Sequence, residues 1–198
     1  MNDHLAVEAL TNATRESCEV VNTWVSNDDS INVFFKLIKS TISTLEIGSK
    51  IIFFGNGGSA AEASHLAAEF VGKCEFDVGA QAAISLTDSG PILTALSNDW
   101  SFDEVFARQI NAVGKAGDLL IGLSTSGSSA NVLNGLAEGK SRGLKTSLWT
   151  SQKFKGEKDY IDFLLVAPTV RTPRAQELHL LIGHILCEYV ENEFKRKR

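Results

Sequence analysis

Apolar residues recur at helical spacing through the first part of the chain, and the period changes near Lys50. One helical pattern runs from about Leu5 to Val25. The cluster Asn27-Asp28-Asp29-Ser30 reads as a turn and helix cap, because short oxygen-bearing side chains satisfy the free N–H groups of a first turn. A second pattern runs from Ile31 to Ile47, where Ile31, Phe34, Phe35, Leu37, Ile38 and Ile42 make a wide apolar stripe. Beyond Lys50, short apolar runs alternate with amphipathic ones. Strands are predicted at residues 50–54, 82–86, 118–123, 144–149 and 161–166, and helices at 59–72, 101–113, 129–142 and 174–195. Runs such as Leu119-Leu120-Ile121 show no polar alternation, which predicts a parallel sheet covered on both faces. Short glycine-bearing connections such as Gly114-Lys115-Ala116-Gly117-Asp118 fit the same scheme. The expected fold is α/β: a doubly wound five-stranded parallel sheet with an N-terminal helix pair outside it. Residues 1–198 are expected to form one domain, with 1–48 a helical oligomerisation segment and 49–198 an α/β core.

Composition narrows the picture. A length of 198 residues suits one domain with a sizeable core, and 43% hydrophobic with 22% charged residues is ordinary for a soluble protein. The net charge is −5, and the only basic block is the terminal Lys195-Arg196-Lys197-Arg198, which reads as a solvated helix end. No nucleic-acid partner is expected from that balance. No apolar run approaches the roughly 20 residues of a membrane span, and the early acids Asp3 and Glu8 do not suit a signal peptide. Cys18, Cys74 and Cys187 are odd in number and lack metal-ligand spacing, so they read as reduced packing residues of a cytoplasmic protein. The N-terminal helices carry more apolar positions than one covered face needs, Phe34, Phe35 and Ile38 among them. That surplus predicts a homo-oligomer, with a tetramer expected.

The candidate chemistry sits in two glycine/serine loops. In Phe53-Phe54-Gly55-Asn56-Gly57-Gly58-Ser59, a strand breaks at a glycine turn and Ser59 opens a helix. Unpaired N–H groups and the helix dipole then point at one spot, which makes an anion site. His65 and Glu69 follow four residues apart, on one face further along the helix. The second loop, Ser124-Thr125-Ser126-Gly127-Ser128-Ser129, follows the strand ending at Leu123. Its hydroxyls, glycine and following helix start make a phosphate pocket without any lysine. An ordinary serine-capped turn would look the same in isolation; two such loops at strand ends, where open parallel sheets bind ligands, point to a phosphorylated small molecule. Lys73, near the end of the first core helix, is read as a C-terminal cation with a phosphate contact as the alternative.

These motifs, with Asn98-Asp99, Ser129-Ala130-Asn131 and Gln176-Glu177-x-His179 in order, resemble the sugar isomerase (SIS) family over nearly the whole chain. Within it they resemble the heptose-phosphate isomerases, which convert sedoheptulose 7-phosphate to D-glycero-D-manno-heptose 7-phosphate. The resemblance implies that Ser59 and Ser124, Thr125, Ser126 and Ser129 hold the phosphate and nearby hydroxyls. It implies that Asn56, Gly57, Gly58, Asn98 and Asp99 contact the sugar chain. It further implies a zinc site, one per subunit, made by His65, Glu69, Gln176 and His184, with Glu69 and His184 as the proton-transfer pair and Glu69 and Gln176 also touching substrate. The chain departs from the family pattern at Phe76-Asp77-Val78-Gly79-Ala80, where a basic residue and a proline are usual, and at Pro173-Arg174-Ala175, which lacks an acid found in some relatives.

Ketose–aldose isomerisation moves a proton between neighbouring carbons through an enediolate, so it needs a base over the C1–C2 face and stabilisation of the enediolate oxygens. Glu69 is the natural carbon base; a solvent-facing helix glutamate is the plain alternative. His184, in Leu180-Leu181-Ile182-Gly183-His184-Ile185-Leu186, would otherwise read as a core histidine. Gln176 lies eight residues earlier, about 12 Å along a helix axis, so a metal shared by the two side chains strains one chain and leaves open a site built from two subunits. Asp99 reads equally as a hydroxyl binder or as an N-cap ahead of Phe102-Asp103-Glu104. His4 and His179 carry no assigned chemistry. The competing reading is a non-catalytic SIS module that binds sugar phosphates, such as a replication-initiator-associated or regulatory protein, which needs no proton-transfer pair. An amino-sugar isomerase is a second alternative. Sequence alone favours the enzyme, because Glu69 and His184 are both present.

Overall fold

The computed structural model describes residues 3–197. Two long helices, α1 (Asp3–Val25) and α2 (Asp28–Glu46), lead into a five-stranded sheet with its crossover helices. Asn27 caps α2, its side-chain oxygen accepting from the Ser30 N–H at 2.9 Å. The strands are β1 (Ile51–Gly55), β2 (Ala83–Ser85), β3 (Leu119–Leu123), β4 (Lys145–Ser151) and β5 (Phe163–Ala167). The helices between and after them are α3 (Gly58–Val71), α4 (Gly90–Asp99), α5 (Val105–Val113), α6 (Ala130–Ser141) and α7 (Thr172–Arg196). All pairings are parallel and the order is β2-β1-β3-β4-β5.

Alternate strand residues serve opposite faces of the sheet. Ile51, Phe53, Leu119, Ile121, Leu123 and Trp149 pack with residues of α2, α3 and α7. Ile52, Phe54, Leu120 and Leu148 pack with Val105, Phe106 and Ile110 of α5 and Val132 and Leu136 of α6. Because both faces are covered, the strands read as continuous apolar runs. The chain reverses its winding between β1 and β3, and the loops leaving those two strands lie at the crevice where such sheets bind ligands. At the opposite edge, Asp118 accepts from the Lys50 and Lys115 N–H groups and pairs with the Lys50 ammonium at 2.6 Å.

The fold class and the N-terminal helix pair match the expectation, with three corrections. Helix α4 is not in the sequence reading. Gly90-Pro91 looks like a turn, yet proline is tolerated in a first turn and Ser89 caps it. The region expected as one helix over 101–113 is a short 3-10 turn, Phe102–Glu104, followed by α5. Phe34 and Ile38 are not surface residues: both are buried, with the Phe34 ring edge-on to Trp24. Of the three apolar positions offered as surplus only Phe35 is exposed, and the exposed apolar residues lie elsewhere, at Leu5, Val7 and Leu10 on α1 and at Leu181, Ile185 and Tyr189 on α7. No helix among the described residues is long and apolar enough to cross a membrane.

Candidate active site

Three helix N-termini meet at the C-terminal edge of the sheet. Helix α3 starts directly after β1 because Gly57 adopts φ +55 at its N-cap, a conformation that favours glycine. A Cβ at Gly55 would lie 2.8 Å from the carbonyl oxygens of Leu123 and Ser59, so only glycine lets β1 turn so tightly. Helix α6 starts after Ser129 and α7 at Thr172. Between them lies a cavity of about 220 Å³ lined by the expected Asn56, Gly58, Ser59, Ser124, Thr125, Ser126, Ser129 and Gln176, together with Leu123 and Thr172. Helix dipoles and hydroxyls converge here, and no Lys or Arg is among the lining residues. That is a cradle for an anion.

Hydrogen bonds inside the cradle fix its shape. The Ser124 hydroxyl donates to Ser129 Oγ at 3.0 Å, and the Ser128 N–H and hydroxyl both reach Ser126 Oγ at 3.2 Å. Gly127, with φ +65, closes the turn by donating its N–H to the Ser124 carbonyl at 2.9 Å. Asn56 and Asn131 exchange two amide hydrogen bonds of 2.8 and 2.9 Å, tying the loop after β1 to the start of α6. The Asn56 side chain is therefore engaged with protein. The Gln176 amide donates to Ser59 Oγ at 3.4 Å and lies over Gly58, where a Cβ would collide with it.

Further along the same face of α3, His65 and Glu69 meet His184 of α7. Ligand atoms of the three lie within 4.8 Å of one another. His65 Nε2 is 2.7 Å from His184 Nε2 and 3.4 Å from Glu69 Oε1. Two imidazole nitrogens facing each other this closely require one of them to carry a proton or both to share a cation. Burial, with the nearby Glu69 carboxylate adding to it, pushes the pKa of the Cys74 thiol up to about 11. Gln176, on the same helix as His184, is held at the cradle end of α3 rather than at this cluster. From Gly58 to His65 the helix rises about 10 Å, so the cluster lies further along α3 than the cradle.

Asn98 and Asp99 end α4, exposed, with the Asn98 amide donating to Asp99 Oδ1 at 2.9 Å. They do not line the cradle of this chain. The N-cap alternative for Asp99 is corrected: the residue closes one helix, and Ser101 precedes the next turn. His179 is fully buried against Trp149, with Nε2 at 3.0 Å from the Thr150 carbonyl. Burial pushes its pKa down to about 4, the Thr150 carbonyl opposing in part, so it is a neutral tie between α7 and β4.

Glu62 escaped the sequence reading. It lies between Gly58 and His65 on the face of α3 that meets α7, is only 8% exposed, and neither carboxyl oxygen has a well-formed hydrogen bond. Burial raises its pKa from 4.5 to about 7, with the Ser59 hydroxyl lowering it in part. A carboxyl raised in the folded state stabilises the fold fully below its unfolded pKa, and that contribution is lost as pH rises towards about 7. Glu62→Gln should thus match wild type near pH 4 and exceed it by about 2 kcal/mol at pH 8, as read from urea midpoints. Equal midpoints for the two proteins at both pH values would show that Glu62 is charged and compensated. Thr172 and Asn131 were also unassigned. A Thr-Pro pair at a helix start is a legible signal for the first; nothing in the sequence marks the amide exchange of the second.

The SIS domain family matches residues 12–151. The chain is 44% identical over 166 residues to the phosphoheptose isomerase of Thermodesulfovibrio yellowstonii, covering 83% of this chain and 82% of that protein. It is 37% identical to the phosphoheptose isomerase of Burkholderia pseudomallei over 96% of each chain. The structure of phosphoheptose isomerase GmhA from Neisseria gonorrhoeae superposes with a TM-score of 0.86 at 34% identity, over 94% of this chain and 99% of that one.

Proposed function

The chain belongs to the SIS domain family, and from that premise we propose that it isomerises sedoheptulose 7-phosphate to D-glycero-D-manno-heptose 7-phosphate through an enediolate. The observation that carries this reading is a face of α3 bearing an anion cradle at its start and, about 10 Å further on, His65 and Glu69, which meet His184 of α7. The cradle holds the phosphate through Ser59, Ser124, Thr125, Ser126 and Ser129. The sugar chain then extends along α3, past Asn56, Gly57, Gly58 and Gln176, until C1 and C2 lie at Glu69. Asn98 and Asp99 contact the sugar from outside this cradle, which calls for a neighbouring subunit.

Glu69 takes the carbon-bound proton and returns it to the adjacent carbon, on the same face. His184 moves the proton between the two sugar oxygens. His65 shares its nitrogen contact with His184 and fixes the ring opposite the substrate. The donor set of two imidazoles and a carboxylate, His65, Glu69 and His184, fits a zinc ion, one per subunit; Gln176 would join it as a fourth ligand only by leaving its contact with Ser59. When bound, the ion supplies Lewis-acid stabilisation to the two adjacent oxygens. The exposed Leu181, Ile185 and Tyr189 flank His184 on α7, and with the apolar positions of α1 they support a homo-oligomer, a tetramer in this reading. The protein works as one domain in the cytoplasm, on a small molecule and without nucleic acid.

Purified protein should convert sedoheptulose 7-phosphate to the aldose, followed by proton exchange at C1 and C2, and should scatter light as about four chain masses. Sugar-phosphate binding without turnover would favour the non-catalytic reading. The pairing of Glu69 with His184 argues for catalysis, since a binding module needs neither.

A further inference from the structure

The cradle neutralises a dianion with hydroxyls and helix ends alone, yet one cation stands at its rim. Lys153 Nζ donates to Thr172 Oγ1 at 3.5 Å, and Thr172 lines the cradle. The Thr125 hydroxyl donates to the same Thr172 oxygen, also at 3.5 Å. A threonine hydroxyl accepts two hydrogen bonds and donates one. With both lone pairs used, the Thr172 proton is left for a ligand in the cavity. The backbone around Lys153 is also fixed. Its N–H donates to Ser151 Oγ at 3.3 Å, and the buried Ser151 hydroxyl donates to the Thr125 carbonyl, within the serine loop itself, at 2.5 Å. Nearby basic residues are already neutralised: Arg171 pairs with Glu16, and Arg174 with Glu177. Among the described residues Lys153 has no carboxylate partner.

We propose that Lys153 is the counter-charge for the substrate's phosphate, closing over the cradle from the loop after β4 and setting preference for a phosphorylated sugar. This rests on the reading of the cradle as the phosphate subsite. A flexible ammonium suits the role, because it swings from a neutral hydroxyl to an arriving anion with little rearrangement. The interaction is remote from C1 and C2, so it acts equally on ground and transition states and appears in KM.

The test compares wild type, Lys153→Met, Lys153→Arg and, as a control on the same loop, Lys158→Met. Inorganic phosphate binding is measured by titration calorimetry, and KM and kcat with sedoheptulose 7-phosphate. Lys153→Met should weaken phosphate about tenfold, or about 1.4 kcal/mol, and raise KM similarly with kcat within about twofold. Lys153→Arg should recover most of the loss, and Lys158→Met should change neither. The salt dependence of KM should flatten in Lys153→Met. If Lys153→Met keeps phosphate affinity and KM within about twofold of wild type, or if Arg fails to restore them, the proposal is wrong. The functional reading fails separately: phosphate binding that depends on Lys153, in a wild type that does not isomerise the sugar, would overturn the reaction and leave the counter-charge standing.

Discussion

Glu69→Gln should lose at least about a thousandfold in kcat, some 4 kcal/mol of transition-state stabilisation, while substrate affinity stays within about tenfold. The amide keeps the volume of Glu69 but cannot take a proton from carbon. His184→Ala should lose a comparable factor, because it removes the group assigned to move protons at the sugar oxygens. Both side chains also belong to the proposed metal site, so metal content and turnover must be measured together. A variant that keeps the wild-type metal content and loses turnover isolates the proton-transfer role. A variant that loses both places the residue at the ion. Near-normal turnover in Glu69→Gln would falsify the mechanism and restore the binding-module reading.

The second large effect is on stability and lies at the far end of α7. The Glu191 carboxylate accepts backbone N–H groups from Cys74, Glu75 and Phe76 at 2.6, 2.9 and 2.8 Å and is only 5% exposed. Lys195, one turn later, sits over the Phe76 ring at 3.8 Å. One acid thus holds the loop that follows α3, Cys74 included. Three charge-assisted bonds are lost in Glu191→Ala, for which we expect about 4 kcal/mol of destabilisation after allowing for water reaching the freed loop. Glu191→Gln should recover only part, because an amide NH2 faces donors. Denaturant midpoints with unchanged slope would report this cleanly. A loss below about 1 kcal/mol would mean that the loop finds other acceptors.

Local chemistry made the sheet and its two loops legible. β1 and β3 are buried on both faces, so their apolar runs are unbroken, and glycine is forced where β1 turns into α3. The spacing of His65 and Glu69 fixes their common face without knowledge of the partner helix. What stayed hidden depends on contacts between distant elements. Phe34 looks like surplus on a helix viewed alone, and becomes core only against Trp24. Asp99 carries an N-cap signature, but the helix it ends opens on a Gly-Pro pair that reads as a turn. Glu62 and Glu191 look like any helical glutamate; one is enclosed between α3 and α7 and the other by a loop 115 to 117 residues away. Their burial has no signature in one dimension.

The exchange of amides between Asn56 and Asn131 bears on how the protein ages. Asn56 precedes Gly57, and a glycine nitrogen is the least hindered attacker of a preceding asparagine side chain. Attack closes a succinimide and expels ammonia, and water then opens the ring to aspartate or isoaspartate in the middle of the cradle. It requires the Asn56 carboxamide to swing back towards the Gly57 nitrogen. Two bonds of 2.8 and 2.9 Å hold it forward instead, so the loop's chemical lifetime is set by how often that pair opens. Warm storage that opens this pair should erode activity before the fold melts, with a gain of about 1 Da on the peptide that contains Asn56, to be told apart from any at the second Asn-Gly step, Asn134-Gly135.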